Sequence, residues 1–216
     1  MEKFSAGLAS IHNMAKRYPK LETLELTCTL VNLSNPTNEV ELPSSLRHLK
    51  LCGTLLFDAK GTQTLKDIPN LTLLQSVILQ EQTCLNFAQV NQVFGVDDDI
   101  KDASQLETLQ LDIPLWTKDS VATILCHPRL KDLSHLALLD CRAIDDEVAT
   151  TIAAQGKKLK SLRVPSSRIT GVGLKALVQA CPSLAYINVD GCLAISLDAV
   201  QWAKGQGVTV AWNIAA

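Results

Sequence analysis

The sequence predicts an α/β solenoid, a stack of short strand–helix units with a parallel sheet on the inner side and helices outside. Three observations predict it. The first is composition: 35 of the 216 residues are leucine, 47% are hydrophobic, and only 4% are aromatic. A chain this apolar buries a core instead of remaining disordered, and thin units with a narrow core suit leucine better than large rings. The second is an apolar spacing that recurs along the whole chain. The third is a set of helix-start residues at fixed offsets from that spacing.

The spacing is LxxLxL, with Val and Ile variants. It occurs at Leu21-Leu24-Leu26, Leu46-Leu49-Leu51, Leu74-Val77-Leu79 and Leu106-Leu109-Leu111. It returns at Leu133-Leu136-Leu138, Leu159-Leu162-Val164 and Leu184-Ile187-Val189. First positions are separated by 25, 28, 32, 27, 26 and 25 residues, mostly within the period of leucine-rich repeats. One such match means nothing; seven in register predict a leucine-rich-repeat solenoid, a horseshoe of about seven repeats forming a single domain over 1–216. The LxL pair alternates with polar residues, which is the period of a strand. Strands are therefore expected near 21–28, 46–52, 74–80, 106–112, 133–139, 159–165 and 184–190. Gly205 and Gly207 bracket a turn before a short terminal strand at 208–212, with Val208 and Val210 inward. Trp202 is expected to pack from the last helix, and Trp212 to cover the end of the core.

Between strands the chain must return to the same edge, and a helix does this compactly. Asp145, Thr170 and Ser196 follow Ile144, Ile169 and Ile195, and all three are good N-cap residues. Ala149 and Ile152, Leu174 and Leu177, and Val200 and Ala203 then fall three apart on one helical face. Cys141 and Cys192 lie three residues beyond the last apolar strand position. Cys126 and Cys181 close helices just before Pro128 and Pro182, and Pro19 and Pro69 end helices ahead of strands. Residues 4–17 read as the closing helix of a repeat that begins before the chain does, with Phe4, Leu8, Ile11 and Met14 as its apolar face. Segment 80–105 is irregular: 85–95 has helical spacing, and 97–104 is an acidic connector.

With its repeats and cysteines in register, the chain resembles the cysteine-containing repeats of F-box/LRR proteins, within the ribonuclease-inhibitor-like group. The fullest match is 133–204, in LSHLALLDCRAIDDEV, LKSLRVPSSRITGVGLKALVQACPSL and AYINVDGCLAIS. The F-box itself is not seen. Leu42-Pro43 has its Leu-Pro opening, but LPSSLRHLKL runs straight into a repeat strand. The resemblance implies a substrate-recognition role in a cullin-based ubiquitin ligase, with an adaptor bound through a missing F-box. The alternative is a stand-alone scaffold or inhibitor of the ribonuclease-inhibitor type.

Composition and motifs exclude other classes. Net charge is −2, with 20 basic and 22 acidic side chains, which gives no electrostatic reason to expect nucleic acid or membrane. No apolar run reaches the length of a membrane span, and no signal-peptide h-region is present. Seven cysteines without a CxxC pair suggest reduced, buried thiols in a cytoplasmic or nuclear protein. No metal or cofactor site is expected: counted from Asp97, the EF-hand glycine and glutamate positions hold Asp102 and Thr108. Cys126-His127 is read as a helix exit before Pro128, since adjacent helical residues do not face each other. Gly171-Val-Gly173 lacks the third glycine of a phosphate loop. Nothing proposes an enzyme. One remote possibility is an acid–base pair of Glu25 and His48 on neighbouring strands.

What remains is surface. Residues between the buried strand leucines point outward onto the concave sheet, an extended binding face in solenoids. The expected partner-binding residues are Glu25, His48, Lys50, Ile78, Gln80, Gln110, Asp112, His135, Leu139, Arg163, Tyr186, Asn188 and Asp190. Ala137 is expected to be exposed with them. Tyr186 and Arg163 are the favoured anchors, because Tyr and Arg are enriched among interface hot spots. His48 and His135 are read as surface histidines.

Overall fold

The computed structural model describes residues 14–27, 41–52, 71–80, 94 and 106–214. The expected helix at 85–95, apart from the buried Phe94, and the acidic connector lie outside the described residues, as do 4–13 of the first helix. The chain divides into two compact units, Met1–Leu106 and Glu107–Ala216.

In the first unit a short helix α1 (Met14–Arg17) precedes three parallel strands, β1 (Thr23–Thr27), β2 (His48–Cys52) and β3 (Ser76–Gln80). The register sets Leu24 beside Leu49 and Val77, and Leu26 beside Leu51 and Leu79. All six are buried. This is the fold the spacing predicts: identical inward positions stack on one another, and each fully buried leucine contributes about 2 kcal/mol of transfer free energy.

The second unit holds five parallel strands paired in chain order: β4 (Thr108–Asp112), β5 (His135–Leu139), β6 (Ser161–Arg163), β7 (Tyr186–Asn188) and β8 (Thr209–Ala211). Between them run helices α2 (Lys118–Leu125), α3 (Asp146–Gln155), α4 (Gly171–Ala180) and α5 (Leu197–Gly205), with a 3₁₀ turn at Pro128–Leu130. The inward row Leu109, Leu136, Leu162, Ile187 and Val210 is buried throughout. The fold is an α/β leucine-rich-repeat solenoid type, an open parallel sheet alternating with helices.

The strands begin two residues inside the motif. From the second motif onward its first leucine, such as Leu133, Leu159 or Leu184, is buried in the turn that leads into the strand and not in the ladder. At the other end Asp140, Ser166 and Gly191 take positive φ values of 54°, 55° and 72°. These three hold the same place in successive repeats, just before Cys141, Ser167 and Cys192, and turn the chain away from the sheet. The predicted span 159–165 thus narrows to three residues, as do 184–190 and 208–212. Val208 and Val210 are buried as expected, and Trp202 receives the Lys175 ammonium 5.7 Å above its ring.

The helix starts follow the capping residues. Asp145 Oδ1 accepts from the amides of Glu147 (3.1 Å) and Val148 (3.2 Å). Thr170 Oγ1 accepts from Val172 (3.1 Å), and Ser196 Oγ from Ala199 (3.3 Å). The expected helix-face pairs are all buried. Lys118 pairs with Asp145 and thereby joins the start of α2 to that of α3.

A second capping interaction crosses repeats. Asp146, the first residue of α3, aims its carboxylate at the start of α4. Its Oδ1 accepts from the amides of Thr170 (2.8 Å) and Gly173 (3.0 Å), and its Oδ2 from Thr170 Oγ1 (2.6 Å). The Gly-Val-Gly sequence therefore has a structural reason. A Cβ on Gly173 would collide with Asp146 Oδ1 and sit 3.0 Å from Ile169 Cγ2 and 3.2 Å from Ala149 Cβ. Glycine-to-alanine normally stabilises a helix by about 1 kcal/mol. Here Gly173→Ala is expected to destabilise the protein by about 2 kcal/mol, the usual cost of overpacking. Urea denaturation of Gly173→Ala in the native and Asp146→Ala backgrounds checks this: the penalty should shrink once the carboxylate is gone, and a stabilising Gly173→Ala would refute the reading.

Candidate functional site

In the first unit the outward face of β1–β3 carries Glu25, His48, Lys50, Ile78 and Gln80. His48 is exposed and the others are part-buried. The register puts Glu25 directly beside Lys50, and the two form an ion pair at 2.7 Å. His48 stands opposite Thr23 instead. The Glu25–His48 acid–base pairing is therefore corrected: the parallel register gives the carboxylate a lysine neighbour, which neutralises it. Ile78 lies beside Lys50 and offers a part-covered apolar group.

In the second unit the outward residues form two cross-strand rows. One runs Thr108, His135, Ser161, Tyr186 and Thr209; the next runs Gln110, Ala137, Arg163, Asn188 and Ala211. Asp112 and Leu139 extend this face beyond the second row, as a register pair. Asp190 lies two residues past Asn188. His135 and Arg163 are exposed; Gln110, Asp112, Leu139, Tyr186, Asn188 and Asp190 are part-buried. Asn188 and Asp190 satisfy each other: Asn188 Nδ2 donates to Asp190 Oδ2 (2.9 Å), and the Asp190 amide donates to Asn188 Oδ1 (3.0 Å).

Ala137 is the exception on this face. The strand alternation predicts exposure, yet the residue is buried at 6%. It lies in register between Gln110 and Arg163, both of which carry longer side chains.

The cysteines divide. Cys141, Cys181 and Cys192 are buried, as the sequence implies, and burial pushes their thiols above the ordinary value. Cys192 Sγ lies 3.1 Å from Ser167 Oγ and donates to the Val164 carbonyl at 3.5 Å, so the serine holding the cysteine position of the preceding repeat meets the next cysteine. Cys126 departs from expectation: as the C-cap of α2 it is exposed. Its neighbour His127 is buried and accepts the Arg129 amide on Nδ1 at 3.3 Å, as the exit before Pro128 requires. Cys52 is part-exposed; Cys28 and Cys84 lie outside the described residues. Arg129, which the periodicity does not single out, is fully buried, and desolvation lowers its guanidinium pKa. Among the described residues no cluster of three or more His, Cys, Asp or Glu could hold a metal ion, and no helix is long and apolar enough to cross a membrane.

No protein-family model matches the chain. A 65-residue stretch is 35% identical to F-box/LRR-repeat protein 21 of Arabidopsis thaliana, covering 30% of this chain and 20% of that protein's length. Among solved structures, a Bacteroides fragilis protein superposes over 96% of this chain and 60% of its own, with a TM-score of 0.59 and 13% identity. A chain from the yeast Rad7 and Elc1 complex superposes over 94% of this chain and 65% of its own, with a TM-score of 0.59 and 17% identity. These two likenesses are of fold.

The thiol geometry has a direct test. In the folded protein iodoacetamide should modify Cys126 on the order of a hundredfold faster than Cys141, Cys181 or Cys192, which react only through opening of the structure. Peptide mass spectrometry after timed alkylation reads the rates; comparable rates would contradict the burial of these three thiols.

Proposed function

We propose that this chain is a non-catalytic protein-recognition module whose outward strand face holds its partner. The sharper form is the substrate-recognition part of an F-box/LRR-type ubiquitin ligase subunit. The observation that carries the reading is the ordered strand face of the second unit. Two cross-strand rows there set an exposed arginine and a part-exposed tyrosine on one outward surface. Such rows are how repeat proteins build extended binding surfaces. The stretch similar to the Arabidopsis F-box/LRR-repeat protein supports the sharper form, and the likeness to a chain of a two-protein complex agrees with a binding role. The second reading is a stand-alone scaffold or inhibitor of the ribonuclease-inhibitor type.

Affinity purification of the full-length gene product tests both. The ligase reading expects cullin-ligase adaptor subunits to co-purify with a substrate; the scaffold reading expects one stoichiometric partner without them. In either case Arg163→Ala and Tyr186→Ala should each weaken capture by about 2 kcal/mol, the scale of an interface hot spot. Unchanged capture by both variants would overturn the strand-face assignment.

A further inference from the structure

The helix starts of the last two repeats carry exposed apolar side chains that the repeat itself does not require. Leu193 is 78% exposed, Val172 70% and Leu197 55%. Leu193 follows the buried Cys192; after Cys141 and Ser167 in the two preceding repeats come the exposed Arg142 and Arg168. Leu197 and Val172 are the first and second residues after the N-caps Ser196 and Thr170. In α3 those two places hold Asp146 and Glu147. The architecture thus accepts charge at all three positions. Single exposed apolar residues need no explanation, whereas a cluster marks a contact surface. These three border a groove of about 390 Å³ between the starts of α4 and α5. Val172 lines it directly, and Leu193 and Leu197 are chain neighbours of the lining residues Ala194 and Asp198. The groove is charged on both sides: Lys175 lines it from α4 and Asp198 from α5. Lys175 stands over the Trp202 ring, and among the described residues neither charge belongs to an ion pair.

We infer that this groove is where a second copy of the chain docks, about a two-fold axis. Leu193 and Leu197 of each copy pack on the groove of the other, and Lys175 of each faces Asp198 of the other. Charge complementarity selects the occupant. The surface carries both signs, and a two-fold contact sets each sign against its opposite, so the patch is complementary to itself. A segment of one sign would satisfy one wall and meet a like charge on the other. The net charge of −2 puts little long-range repulsion between copies. One groove and three apolar side chains from each copy make a contact at the small end of protein interfaces, so the dimer is reversible and depends on concentration. None of these residues belongs to the strand-face rows, so the surface is additional to the one that holds the partner.

Sedimentation velocity of the full chain over a micromolar to submillimolar dilution series tests this. The native protein should shift reversibly from one chain to two as concentration rises. The Leu193→Ser/Leu197→Ser double variant and the single variants Lys175→Glu and Asp198→Lys should each weaken the dimer about tenfold or more. All should keep the native circular dichroism spectrum. Mixing the Lys175→Glu protein with the Asp198→Lys protein should restore the dimer, because each contact again joins opposite charges. An effect confined to one chain gives no such rescue. Arg163→Ala should leave the dimer intact. A chain that stays monomeric at every concentration, a dimer indifferent to the leucine changes, or a mixture that does not regain the dimer would each overturn the inference. So would growth beyond two copies, or a dimer lost with Arg163→Ala. A monomer that still captures a foreign protein through Arg163 and Tyr186 would leave the strand-face reading standing and remove only this inference.

Discussion

A single repeat of this chain buries too little to fold alone. Each contributes a strand of three to five residues and little else to bury it against, so stability depends on the parallel register that stacks equivalent positions of neighbouring repeats. In the second unit that constraint gives one unbroken inward row from Leu109 to Val210. Register in a sheet is unforgiving: a one-residue slip would exchange Leu162 with Arg163 and carry the whole buried set to the solvent side. The alternation of buried and outward residues is thus the feature from which both the core and the strand face arise.

The turns must respect the same register. Asp140, Ser166 and Gly191 adopt positive φ at one repeated position, although only the last is a glycine. Left-handed backbone is costly for serine and milder for aspartate, and the packing of the next residue helps to hold it. That residue is Cys141, Ser167 or Cys192, each buried. Asp146 serves the same end on the helical side. By presenting its carboxylate to the start of the next helix it ties α3 to α4 across the repeat boundary, and the favourable interaction of an anion with a helix N-terminus adds to the hydrogen bonds.

These two devices also show where sequence reading stops. The leucine spacing, the three N-caps and the buried helix pairs are legible because each depends on residues a few positions apart, where strand and helix periods act. The Asp146–Gly173 contact is not, because it joins residues 27 apart and the glycines look like a broken phosphate loop. Burial of Ala137 is hidden for a related reason: its outward position is right, but its exposure depends on the lengths of Gln110 and Arg163 on the flanking strands. The exposure of Cys126 comes from its place at a helix C-cap, which proline at 128 signals, while the cysteine's general tendency to be buried points the other way. The Glu25–His48 pairing fails on register alone, since a parallel ladder sets Glu25 against Lys50.

The separation of inward from outward rows lets the strand face vary independently of the core. Inward positions accept only leucine, isoleucine, valine or a close substitute, because their neighbours above and below are equally large. Outward positions answer only to the two residues beside them in the row. An arginine there costs the core nothing, and a small residue such as Ala137 can stand next to it. Shape and charge along the rows are therefore the properties this architecture can vary most freely.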